Sequence, residues 1–236
     1  MYNKRIFKST IEYIKYKLMR EVMKMDKLNL FQETIGFSIV KDNKILKTDE
    51  VNYIRDYFSN DGYTGYSLVP DGTGILLYNS ENLNDTFVYN SELIQLNKPN
   101  IVLDKNTIKI QLSRLFEIMN RINVMIKNYG IKLIGVSKVN ESDNKIYSYC
   151  IKDEFLSNIR NNDINLNGIG LRLSYQLGNF VINHYIEPYF NDKDFIYSII
   201  DANTNYQKPI DITFDFVYND FIKIIDQYKK GFKFFK

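Results

Sequence analysis

The chain has 236 residues, 44% of them apolar and 25% charged, with a formal net charge of +3. That balance excludes a disordered chain and is enough for one well-cored domain. Cys150 is the single cysteine and His184 the single histidine, which excludes an internal disulfide and a Cys- or His-rich zinc site.

No apolar run approaches bilayer length, and the charged first residues hold no signal-peptide core. The expectation is a cytoplasmic protein that does not enter a membrane. The 19 Tyr and 16 Phe accompany abundant Ile, Asn and Lys. This is the pattern of an AT-rich coding bias and is not by itself evidence of base stacking.

Residues 1–28 carry eight Lys/Arg against three acids. Ile11, Ile14, Leu18, Val22 and Met25 recur at steps of three and four, so Phe7–Met25 reads as a basic amphipathic helix. It could hold a phosphate backbone or be a solvated helix face. Domain bounds follow as 1–30 for this helix and 31–236 for one α/β domain, with no internal repeat.

Thr34–Val40, a turn at residues 41–44 and Ile45-Leu46 read as a β-hairpin. A helix capped by Thr48 or Asp49 runs through Phe58, and Asp61–Gly65 ends it. Strands follow at Tyr66–Val69, Ile75–Tyr78 and Thr86–Tyr89. The stripe Leu112, Leu115, Met119, Ile122 and Ile126 predicts a helix over 108–129, stopped by Gly130. Ile131–Ser137 is then a strand covered on both faces. A helix over 153–161, strands at Gly170–Gln176 and Phe180–Glu187 joined through Leu177-Gly178-Asn179, and a helix around 219–229 complete the chain. The expected class is α/β, with helices on the faces of a central sheet.

Asp71-Gly72-Thr73-Gly74 follows a short strand, where a carboxylate is well placed to hold Mg²⁺ or Mn²⁺ through hard oxygen ligands. The same residues also make an ordinary turn. Glu50, on the border of the buried helix face, could share that metal or simply favour the helix dipole. Lys138, at the end of the apolar strand, could neutralise a phosphate or mark where the strand meets water. His184 reads as a strand residue before it reads as a base. The chain holds no nucleophile elbow, phosphate loop or dinucleotide fingerprint.

In order and spacing, Glu50, Val69-Pro70-Asp71-Gly72-Thr73, the 108–129 helix and Ile134-Gly135-Val136-Ser137-Lys138 resemble the NurA nucleases. So do Leu171-Arg172-Leu173-Ser174, Ile186-Glu187-Pro188-Tyr189 and Pro209–Asp215. The resemblance spans residues 48–228. It implies an RNase H-like mixed β-sheet flanked by helices and two-metal cleavage of DNA with Mn²⁺ or Mg²⁺. It also implies a hexameric DNA-translocase ATPase as partner; a homodimer is a separate expectation. Carried over, Asp71, Glu50 and Asp215 would be metal ligands, Asp215 standing where the family has His, and Lys138 a phosphate contact. The family's first catalytic Asp has no counterpart in Ile35-Gly36-Phe37-Ser38-Ile39. Either another acid such as Asp42 substitutes, or the chain is a divergent, non-catalytic binding module for nucleic acid or protein.

Overall fold

The computed structural model describes residues 29–41, 45–69, 72–139, 146, 169–192 and 194–234. The expected N-terminal helix, the turn at 42–44 and the helix over 153–161 lie outside them. So do Asp42, Pro70 and Asp71.

The described chain runs β1 (Asn29–Val40), α1 (Thr48–Ser59), β2 (Gly65–Leu68), β3 (Gly74–Asn79), β4 (Asn82–Asn90), β5 (Leu93–Pro99), α2 (Lys105–Ile122) and β6 (Met125–Lys138). It continues with β7 (Leu171–Leu177), β8 (Phe180–Pro188), β9 (Phe195–Thr204) and α3 (Phe214–Phe234). All nine strands form one sheet in the order β2-β3-β4-β5-β1-β6-β9-β8-β7, and each pair is antiparallel. This corrects the expected RNase H-like mixed sheet. Short connections, such as Gly178-Asn179 with Gly178 at φ 58°, return β3, β4, β5, β8 and β9 each beside the strand before it, and two-residue turns can join only antiparallel strands.

The sheet consists of two halves of like connectivity. Outward from β1 lie β5, β4 and β3, with β2 as an extra edge strand; outward from β6 lie β9, β8 and β7. A long helix follows the third hairpin strand in each half, α2 after β5 and α3 after β9. β1 and β6 meet antiparallel at the centre, so the halves relate by an approximate two-fold axis between them. The sequence shows no repeat that announces this.

All three helices cover one face. Phe58 of α1 stacks on Phe87 of β4 at 4.6 Å between ring centroids, Phe116 of α2 meets Phe37 of β1, and Phe221 of α3 meets Tyr129 of β6. Along β1 the alternation is strict, with Ile35, Phe37 and Ile39 buried under the helices and Thr34, Gly36 and Ser38 facing the other way. One core joins these side chains with Leu112, Leu115, Ile118, Ile224 and Tyr228. The opposite face bears no described helix. Only at its Lys138 end do Phe31, Tyr189 and Tyr197 gather on Val136 and Phe195.

Three further expectations change. Helix α2 ends at Ile122, because Asn123 takes the left-handed conformation at φ 52°, a cap role Asn tolerates. Gly130 therefore sits inside β6 and is no C-cap, and Ile126 belongs to the alternation of a half-buried strand. Second, β1 is flanked by β5 and β6, so Ile45-Leu46 forms no hairpin with it. The Leu46 N–H donates instead to Gly72 O at 3.0 Å. Third, β5 and β9 were unassigned in the sequence and prove to be the strands that lock the central pair into the sheet.

Candidate functional site

The predicted metal ligands divide by location. Glu50 is committed to structure: its Oε2 accepts from Lys41 Nζ at 2.5 Å and from the Lys47 N–H at 3.3 Å, while Lys41 Nζ also donates to Tyr89 Oη at 2.8 Å. Lys41 follows Val40, which pairs with Met125 at the start of β6. Asp215 is exposed in the first turn of α3, just after a segment bound to Ile126 through the Ile210 N–H at 3.2 Å. Lys138 is exposed at the other end of the 14-residue β6, opposite Phe195. At ~3.3 Å per residue the two ends of that strand lie roughly 40 Å apart, so Lys138 and Glu50 do not share a site. Among the described residues no group of three or more His, Cys, Asp or Glu is arranged to hold a metal ion, and no helix is long and apolar enough to cross a membrane.

His184 is a strand residue of the covered face. It is 3% exposed, its Nε2 lies 2.8 Å from Ser198 Oγ, and burial pushes its pKa down to about 4. Tyr228 donates to the Ser198 carbonyl at 3.0 Å alongside it. Among the described residues no carboxylate and no nucleophile other than Ser198 is in hydrogen-bond contact with it, and the ring has a packing role.

A recess lies on the open face, across the two-fold axis. Gly36 of β1 pairs directly with Gly130 of β6; beyond them stand Gln95 of β5 and Asn203 of β9, then Val88 of β4 and Val181 of β8. Each half thus contributes a glycine, an amide and a valine in the same order from the centre. The recess encloses about 330 Å³, with Thr34, Ser38, Asn128, Lys132 and Asp201 also lining it.

The two glycines differ in what stands above them. A Cβ at Gly36 would meet nothing within 4 Å, whereas one at Gly130 would fall 2.1 Å from Asn203 Oδ1 and 2.8 Å from the Ala202 carbonyl. The floor is therefore an open well over Gly36, with the Asn203 oxygen leaning in from the Gly130 side. Amide and hydroxyl bonds brace the walls. Thr34 Oγ1 donates to Asn97 Oδ1 at 2.9 Å, Gln95 Nε2 donates to the same oxygen at 2.9 Å, and Asn97 Nδ2 donates to Thr86 Oγ1 at 2.8 Å. Across the axis, the Tyr206 N–H donates to Asn128 Oδ1 at 2.6 Å.

The sequence carries one signal for this site. Glycines inside strand patterns, as in Ile35-Gly36-Phe37 and Tyr129-Gly130-Ile131, mark places where something approaches the backbone closely. Which glycines face each other depends on the pairing of strands about 90 residues apart, which single-sequence periodicity does not report. No protein-family model matches the chain, and no curated protein matches it either. Among the described residues, the fold and the recess define an antiparallel sheet with helices on one face and a small well on the other.

Proposed function

We propose that this protein is a non-catalytic binding module that takes a metabolite-sized ligand on the open face of its sheet. The observation that carries this is the well over Gly36: a backbone floor with no side chain above it, ringed by braced amides and hydroxyls and closed beneath by the main core. Concave sites with a few convergent polar groups are where small ligands bind. The bracing fixes those groups in advance and reduces the ordering cost of binding.

Gly36→Leu is the discriminating variant, because its side chain fills the well without touching the core. In a thermal-shift screen of polar metabolites, a ligand at about 100 times its Kd stabilises by ~2.7 kcal/mol. For a chain of this length that raises Tm by roughly 5–10 °C. The expected result is a shift in the wild type that Gly36→Leu abolishes. A shift of equal size in both proteins, or none with any compound, overturns the proposal.

A metal-dependent DNA nuclease is a second reading, favoured by one observation: the Leu46 N–H bond to Gly72 O sets the residue after Asp71 beside the start of the helix that carries Glu50. It requires Mn²⁺- or Mg²⁺-stimulated cleavage of DNA that disappears in Asp71→Ala and Glu50→Ala. Uncut single- and double-stranded DNA with either metal ends it.

A further inference from the structure

The ligand class follows from how charge and hydrogen-bond polarity are arranged at the rim, given the binding role proposed above. Asn203 Nδ2 lies 2.6 Å from Asp201 Oδ1. A carboxylate oxygen only accepts, so the Asn203 nitrogen must point to Asp201 and its oxygen must be the atom over Gly130. The wall of the well is thereby set as an acceptor and calls for an N–H donor. Asp201 adds negative charge beside it.

Lys132 is the direct cross-strand neighbour of Asp201 on the same face, and Thr34 flanks it on the other side. Such neighbours have Cβ atoms about 5 Å apart. Even so, among the described residues neither an ion pair nor a hydrogen bond engages Lys132 Nζ. Among the described residues, a cation without an ion-pair partner and an anion bonded through one oxygen therefore stand side by side at the edge of a well one side chain deep.

We infer that the well binds a free α-amino acid. Its ammonium sits against Asn203 Oδ1 and Asp201, its carboxylate against Lys132, and its side chain enters the space over Gly36 towards Gln95. A zwitterion whose two charges are separated by a single carbon matches adjacent opposite charges on one face. A simple anion or cation matches only half of them. The hydroxyl and amide lining at Thr34, Ser38 and Gln95 suits a short polar side chain.

Calorimetric titration of the full chain with L-serine, L-alanine and L-glutamine tests this, with the corresponding methyl esters and N-acetyl derivatives as probes lacking one charge. The expected result is saturable binding of at least one free amino acid, weakened about ten-fold or more in its ester and its N-acetyl form, since a bond to a charged group is lost in each. Lys132→Gln should abolish the preference over the ester, and Asp201→Asn the preference over the N-acetyl form. Both residues are half-buried at the rim of the well and both substitutions keep side-chain size, so near-wild-type melting of each variant is the expected control.

Esters that bind as well as free amino acids overturn the inference. So does binding seen only in the tens of millimolar and indifferent to Gly36→Leu. If other metabolites bind in a Gly36→Leu-sensitive way while amino acids do not, the inference falls and the binding module stands. If nothing occupies the well, both fall.

Discussion

Glu33→Gln should stabilise the protein by about 3 kcal/mol at mildly alkaline pH and leave it nearly unchanged near pH 4, the figure following from the pKa displacement at ~1.4 kcal/mol per pH unit. Glu33 lies on the covered side of β1, between Lys98 of β5 and Leu133 of β6, and is 1% exposed. Among the described residues neither carboxyl oxygen has a hydrogen-bond partner, and neither does the nearby Gln111 Oε1 on α2. Burial is the main reason its pKa rises from 4.5 to about 7; Gln111 and Lys98 work against the rise, and Asp104 adds to it.

The direction of the pH effect follows directly. Below about pH 4.5 the carboxyl is protonated in folded and unfolded chains alike. Between there and pH 7 only the folded chain keeps the proton, so stability falls as pH rises. Above pH 7 the folded chain carries a buried, unpaired charge, which is costly. Glutamine has nearly the same shape and never ionises. Urea midpoints for both proteins across this range measure the effect, and a difference that does not change with pH would falsify the account.

His184→Gln should remove an acid sensitivity of similar size and opposite direction. Burial lowers the pKa of His184 from 6.5 to about 4. Its contribution is therefore complete above pH 6.5 and is lost as pH falls towards 4, about 3 kcal/mol in all. The ring has no room to move away when it charges: a Cβ on Gly231 of α3 would come within 2.8 Å of its Cε1, and Tyr228 lies 6.0 Å from it. Glutamine keeps a group able to bond Ser198 without titrating.

The two effects oppose each other between about pH 4.5 and 6.5, where the wild type should show almost no slope from this pair. Glu33→Gln then exposes a loss of stability on acidification, and His184→Gln exposes a loss on alkalinisation. Parallel stability curves for the wild type and His184→Gln over that interval would sink the assignment of His184 as a neutral buried ring.

Much of the local structure was legible in the residues. The helix from Thr48 to Phe58 and its end near Gly62 follow from apolar spacing and turn chemistry. The β7–β8 hairpin follows from two alternating runs around Gly178-Asn179. The strand role of His184 also followed, because a lone histidine without a partner in sequence is most often packed. The α2–β6 boundary was misplaced because Ile122 and Ile126 fit a helical stripe as well as the start of a strand. Asn123, in a left-handed conformation that asparagine tolerates, decided it.

What the sequence determined by itself is the set of elements that local periodicity and turn chemistry control, together with the exclusion of an internal disulfide and of a Cys- or His-rich zinc site. What only the tertiary structure decided is how those elements pair. Order and spacing had placed Glu50, Asp71 and Lys138 in one RNase H-like site, but β6 carries Lys138 to the far end of the sheet from Glu50. The partners of a strand depend on the burial of one continuous face and on contacts remote in sequence. For that reason the Gly36–Gly130 pairing, the matching amides around it and the charges at its rim emerge only when nine strands close into one sheet.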